Sequence, residues 1–392
     1  MAEHEDEDGR SASKRRKTGP YLSPGDLSPM VQDDLSAALF SLCSTKAKLL
    51  PYKLTSCNAA ATNGVPFSKA FCELENLDKG FFLGDVFRSG INIGIDFLYG
   101  KIPEAKHEKI ILEKLVKFLK LGEMVNVDIE TDMTTLLANH LFGKLATSPD
   151  FTIDKNCKSK RRGKKCSCGD ENCVLTGDYG DTSIGNHEVW HGSVDIIIKN
   201  DLVVDNLEKE PDSPEGKSPV KVKRKNSSLS RSPQLTAETI VFSFLQKKMH
   251  PELSNFLIPC VGIASSAMLL TFYDSEHDVF LETSFFPLFS TTSEKTFSLE
   301  AVLVAWLAVN YRFLCTGLTD EMLPFKAGFF EEAKDRKTVY ENDLQMLNVG
   351  QTLVKEIILP SEWEFNEFLM ESRKRIGEWR VETQGEKVDL FM

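Results

Sequence analysis

The sequence predicts an α/β (α+β) protein, a mixed β-sheet flanked by helices, on three observations. Segments of helical and of strand-like spacing alternate through the middle of the chain, in the order helix, strand, strand, helix, strand, strand, strand. A crossover helix between strands favours a sheet with parallel as well as antiparallel neighbours. At 392 residues and 41% hydrophobic, the chain can bury a sizeable core.

Taken in order, residues 1–30 are polar and carry Ser and Pro, so they are expected to stay disordered. Residues 31–128 read as a helical N-terminal region. Its clearest element is "HEKIILEKLVKFLKLG", where Ile110, Ile111, Leu115, Phe118 and Leu119 form a helical stripe. An α/β core is expected over 129–330. It opens with "DIETDMTTLLANHLFGKLA", a helix that Thr131 or Asp132 can cap and whose apolar face is Leu136, Leu137, Leu141 and Leu145.

The stretch "HEVWHGSVDIIIKNDLVVDNLEKE" reads as a β-hairpin. Gly192 and Asp195 stand at the mouth of one apolar run, and Lys199 to Asp201 turn the chain into a second run that carries Asp205. A carboxylate among Val and Ile needs a partner, because burying it alone costs several kcal/mol, on the order of 5. A disordered linker is expected over 211–234, then a helix through Ala237, Ile240, Val241, Phe244 and Leu245. "NFLIPCVGIAS" reads as a buried strand, and "AMLLTFYDSEHDVFLETSF" as a hairpin turning near Asp274 to His277. Phe285, Phe286 and Phe289 read as core, not as a base-stacking platform.

"LEAVLVAWLAVNYRFLCTGL" is apolar without a break only from Ala301 to Val309, about half of the roughly 20 residues a bilayer span needs. With Glu300 before it and Asn310 and Arg312 after it, a buried helix is expected there. Residues 331–392 read as a C-terminal helical region.

A formal charge of −11 argues against coating nucleic acid by bulk electrostatics, so any such contact must be local. Three basic runs interrupt the acidic chain: "SKRRKTGP", Lys221 to Lys225, and "CKSKRRGKKCSC". Runs of this kind are read by nuclear import receptors, and nuclear residence is the expectation. Ser-Pro pairs at Ser23, Ser28, Ser148, Ser213, Ser218 and Ser232 suit proline-directed kinases. No apolar leader stands at the N-terminus, so secretion is not expected. The nine cysteines then read as reduced thiols or a metal site. Cys157, Cys166, Cys168 and Cys173 could close a tetrahedral Zn²⁺ site, with His187 or His191 replacing a thiolate. Their spacing is not the paired knuckle of common zinc modules. A basic loop without metal and reversible cysteine oxidation both stay open. No phosphate-cradling glycine loop and no nucleophile elbow occur, and "GINIGID" lacks the spacing for one.

A helix, "GSVDIII" on a strand, a return strand with an acid, an amphipathic helix and a further strand together resemble the core of the PD-(D/E)xK nuclease superfamily. The resemblance spans about residues 130–285 and implies a restriction-endonuclease-like core with helical additions at both ends. It implies Asp195 as the first acid and Asp205 as the second, holding Mg²⁺, with Glu130 or Asp132 as an acid from the preceding helix. Carboxylate oxygens suit Mg²⁺, which steadies charge on a scissile phosphate and generates hydroxide. The superfamily's lysine, two residues past the second acid, is replaced here by Leu207. Lys247 or Lys248, from the following helix, could stand in for it. Three functions follow: a degenerate nuclease-like scaffold binding nucleic acid or protein in the nucleus, a Mg²⁺-dependent phosphodiesterase acting through Asp195 and Asp205, or a kinase-regulated interaction protein of unrelated α/β fold.

Overall fold

Helix α1 (Pro29–Ser41) begins where the Ser28 hydroxyl accepts the Val31 N–H and Pro29 takes the first helical position, where a missing N–H costs nothing. The computed structural model describes residues 22–121, 133–148, 150–157, 178–198, 201–206, 231–264, 266–290 and 296–349. Residues 22–30, within the stretch expected to be disordered, take up structure: Ser23 caps a short 3₁₀ turn, Pro24–Asp26, ahead of α1.

The region 31–128 is not wholly helical. It contributes β1 (Lys48–Cys57), β2 (Val65–Pro66), β3 (Cys72–Asn76) and β4 (Phe81–Phe82). Within β1 the exposed, buried, exposed alternation of Lys53, Leu54 and Thr55 is the period-2 signal of a half-buried strand. Three helices follow: α2 (Leu83–Val86), α3 (Arg88–Leu98) and α4 (Lys106–Leu121). "GINIGID" lies inside α3. A Cβ on Gly90 would overlap Leu307, and one on Gly94 would overlap Leu39, so these glycines serve close helix packing. The stripe of α4 is centred on Ile111, Leu112, Leu115, Val116 and Phe118, with Ile110 and Leu119 at its margins.

The second expected helix forms as α5 (Met133–Leu137), one π turn (Ala138–Phe142) and α6 (Gly143–Leu145), with Leu136, Leu137, Leu141 and Leu145 buried. Its capping candidates Thr131 and Asp132 lie outside the described residues. Next come β5 (Phe151–Asp154), β6 (Tyr179–Gly180), β7 (Ser183–Gly185), β8 (Trp190–Ser193), β9 (Ile196–Ile198) and β10 (Leu202–Asn206). Helix α7 (Pro233–Met249) starts one residue before the expected end of the linker, because Ser232 and Pro233 repeat the cap that opens α1. Then follow β11 (Leu257–Ala264), β12 (Ala267–Asp274), β13 (Val279–Thr283) and β14 (Phe286–Pro287). The chain continues through α8 (Leu299–Val309), α9 (Tyr311–Leu314), α10 (Phe329–Ala333), α11 (Lys337–Asn342) and β15 (Gln345–Met346).

The main sheet runs β3-β1-β13-β12-β11-β10-β9-β5-β6, with β14 on β12 and β4 on β1. Parallel and antiparallel pairs mix within it, and helices flank it, as the sequence predicts. From Leu257 to Ile263 every residue of β11 is buried, so both faces of the sheet are covered there. Helix α7 packs on β11 and β12, while α8 packs on β11 and β14 and is enclosed by α1, α6 and the π turn. A second sheet, β15-β7-β8-β2, lies against α7. Held between two sheets, α7 buries polar Glu238, Thr239, Ser243 and Gln246 as well as its apolar stripe.

Helix α8 is the expected buried helix. The Trp306 indole donates to the Ile111 carbonyl at 3.0 Å, and Asn310 donates to the Leu145 carbonyl at 3.1 Å, which fastens α8 to α4 and α6. No helix among the described residues is long and apolar enough to cross a membrane. The β12–β13 turn falls where the sequence puts it, with the Asp274 carboxylate accepting the N–H groups of Glu276 and His277. Of the three phenylalanines read as core, Phe286 is buried and Phe289 stacks on Phe297, but Phe285 is exposed.

Candidate functional site

"GSVDIII" is not one strand. Its first part is β8 of the second sheet and its last part is β9 of the main sheet, and Val194 and Asp195 form the joint. Thr182 holds the joint from one side, its hydroxyl donating to the Val194 carbonyl at 2.6 Å. The Asp154 N–H holds it from the other, donating to the Asp195 carbonyl at 2.9 Å. Each half of the run satisfies its backbone in a different sheet, so a continuous strand has no advantage here.

The register then gives the site its form. On one side of β9, Phe151 pairs with Ile198, Thr152 with Ile197 and Ile153 with Ile196. The next step puts Asp154 level with Asp195. On the other side Leu202 pairs with Ile198, Val203 with Ile197 and Val204 with Ile196. The next step there puts Asp205 level with Asp195 too. Three aspartates from three neighbouring chain segments thus occupy one row across the sheet. Strand spacing sets their backbones about 5 Å apart from one to the next. Asp154 and Asp195 are both buried, at 8% exposure each. The Asp154 carboxylate accepts the Asn156 N–H at 3.1 Å in a local turn.

Asp154 is the residue that sequence reading misses. Its strand, "FTID", is four residues long and stands beside the cysteine-rich insert, so the Phe151/Ile153 alternation is too short to register. Asp195 and Asp205 each stand one residue beyond the last pair of the hairpin, Ile196 with Val204.

The lysines are not there. Asp205 pairs with Gly262 of β11, in a parallel ladder. Lys247, at the end of α7, lies 3.9 Å from Glu276 and over the Phe256 ring, while Lys248 donates to the Leu344 carbonyl at 2.9 Å. Glu276 follows Asp274, which pairs with Leu257 at the opposite end of β11. From Gly262 to Leu257 is about 16 Å along the strand. The expectation that Lys247 or Lys248 replaces the missing lysine is therefore corrected. A helix that returns antiparallel to β10 ends where β10 begins, far from Asp205.

That far end has its own fixture. Arg312 bridges to Asp201 of the β9–β10 turn at 2.7 Å and donates to Gln246 of α7 at 3.3 Å. A cavity of about 590 Å³ lies beside it, lined by Phe151, Thr152, Ile197, His250 and Arg312 among others.

Glu130, Asp132, Leu207, Cys166, Cys168 and Cys173 lie outside the described residues. Cys157 ends a short 3₁₀ turn after β5. His191 lies on β8 with its Nδ1 2.8 Å from the Val189 carbonyl, and His187 is exposed before that strand. Among the described residues no three His, Cys, Asp or Glu side chains gather as a metal site would require. Comparison with known proteins finds no family model, no curated protein and no solved structure that matches this chain.

Proposed function

We propose that this chain is a nuclear protein built on a degenerate PD-(D/E)xK nuclease-like core, which binds nucleic acid without cutting it. One observation carries the reading. The path α5–α6, β5, β9, β10, α7, β11, with β9 antiparallel to both neighbours and β10 parallel to β11, resembles that core and sets Asp195 and Asp205 level. Yet Leu207 takes the lysine's position, and Lys247 and Lys248 are engaged at the other end of the sheet. The acids have the form of the site without the group that positions the attacking water.

Nucleic acid is the favoured partner because of where the basic sequences attach. Both β5 and β10 run antiparallel to β9, so they end at the same edge. The run Lys158, Lys160, Arg161, Arg162, Lys164 and Lys165 begins four residues after Asp154, and the run Lys221 to Lys225 follows Asp205 on the chain by sixteen residues. Phosphate binding needs such local cations in an acidic chain. The runs at 14–17 and 221–225 also support nuclear import.

Fluorescence anisotropy with single- and double-stranded DNA and RNA, in chelator, tests the reading. Binding should weaken steeply with salt, and replacing the six cations of 158–165 by Gln should flatten the salt slope. Absence of binding at low salt, or binding indifferent to salt, would refute it.

A second reading, a Mg²⁺-dependent phosphodiesterase, is favoured by the third carboxylate. Asp154, level with Asp195, offers an acid from β5 that could complete a metal shell with Asp205. It predicts cleavage that depends on Asp154 as well as Asp195.

A further inference from the structure

Cys57 and Cys72 end one strand and start another. In the β1–β3 pair they are direct partners, after a bulge between Leu54 and Ser56. The hydrogen bonds fix which kind of partner. The Asn58 N–H donates to the Phe71 carbonyl, while the Cys57 N–H donates to Glu332 and not to Cys72. Bonds from the residues just outside a pair define a non-hydrogen-bonded antiparallel pair. In that arrangement the Cα atoms stand about 4.5 Å apart and both side chains project to the same face. A disulfide needs a Cα separation of about 4.4–6.8 Å, so bond formation requires no rearrangement of the strands.

We propose that Cys57 and Cys72 are a redox-active dithiol that closes to a cross-strand disulfide on meeting a low-molecular-weight disulfide such as oxidised glutathione. The Cys57 thiolate attacks one glutathione sulfur, forming a mixed disulfide and expelling glutathione thiolate, which takes up the proton Cys57 lost. The Cys72 thiolate then attacks the Cys57 sulfur, the protein disulfide forms, and a second glutathione leaves with the proton from Cys72. Two protein thiols are oxidised by two electrons and one glutathione disulfide is reduced to two thiols.

The surroundings set the order of attack. Cys57 is partly exposed and Cys72 is buried, its thiol directed at the Pro233 carbonyl at the start of α7. Burial pushes the Cys57 thiol up to about 11 and the Cys72 thiol up to about 12. Glu332 raises Cys57 further and Lys334 opposes it, while Thr236 faces Cys72 and lowers it. The pair therefore reacts slowly at neutral pH and faster as pH rises. With no stabilised thiolate to favour the reduced form, the closed bridge resists reduction. It shuts the loop of residues 58–71 beside the first turn of α7. This inference is independent of the function proposed above.

The test treats the full-length folded protein with oxidised glutathione at about pH 8.5, quenches with acid, alkylates and maps peptides. The wild type should yield a Cys57–Cys72 linked peptide and melt about 5 °C above the reduced form. Cys72→Ser and Cys72→Ala should stop at a glutathione adduct on Cys57, with no rise in melting temperature. Circular dichroism of each variant before oxidation checks its fold, and the wild-type map stands by itself if neither folds. Glutathione persisting on wild-type Cys57 without a linked peptide, or two unreacted thiols, would overturn the proposal.

Discussion

The backbone N–H of Asp154 donates to the carbonyl of Asp195 at 2.9 Å, which fixes two buried aspartates level on neighbouring segments. If this row is a nuclease site without its lysine, its charge opposes the phosphate that the basic runs attract. Asp154→Asn keeps an oxygen for the Asn156 N–H and removes one negative charge. Affinity for nucleic acid in chelator should rise by a few-fold, about 1 kcal/mol at close range in water, with stability changed by less than about 1 kcal/mol. A tenfold loss of affinity would contradict a purely repulsive role.

Tyr340 ties the second sheet to the loop after β1. Its hydroxyl donates to the Ala59 carbonyl at 3.1 Å and accepts the Trp190 N–H at 3.3 Å, and both ring systems are fully buried. Tyr340→Phe leaves a buried acceptor and a buried donor without this partner. Chemical denaturation should give a loss of about 1–3 kcal/mol. A change near zero would mean that water reaches both groups.

Asp278 gives stability a pH dependence of definite sign. Its carboxylate accepts the Tyr273 hydroxyl at 2.8 Å and the Phe329 N–H at 3.2 Å, and burial raises its pKa above the ordinary 3.8. The folded chain thus keeps this proton to higher pH than the unfolded chain. The contribution is fully present below about pH 4 and is lost as pH rises through the folded value. In urea titrations from about pH 4 upward, Asp278→Asn should remove that falling slope. An unchanged slope would assign it to other groups.

Ser232 is one of three Ser-Pro serines that cap helical turns, with Ser23 and Ser28. Its hydroxyl accepts the Leu235 N–H at the start of α7. Ser232→Ala should cost about 1 kcal/mol, and Ser232→Asp should recover most of it. No loss in Ser232→Ala would show that the cap carries no energy.

The core helices and strands were legible because their patterns are long. Helices α4, α7 and α8 and strands β11 to β13 all follow from apolar spacing. Ten-residue β1 was not, because its alternation is clean only around Lys53 to Thr55, nor were several short strands. Four-residue β5 carries too little alternation to register, and without it Asp154 could not be seen beside Asp195. The break at Val194 and Asp195 escaped because periodicity cannot tell which sheet takes up a backbone. Lys247 and Lys248 were misplaced for a related reason: helix direction relative to β10 depends on the tertiary crossover, not on local spacing.

A cleavage assay tests the central claim most directly. Full-length protein, free of contaminating nuclease, is incubated with labelled single- and double-stranded DNA and RNA in Mg²⁺ or Mn²⁺, beside Asp195→Ala and Asp154→Asn. The degenerate-scaffold account predicts intact substrates in every lane, with binding preserved. Cleavage by the wild type that disappears in Asp195→Ala would contradict it and establish the row of aspartates as an active site.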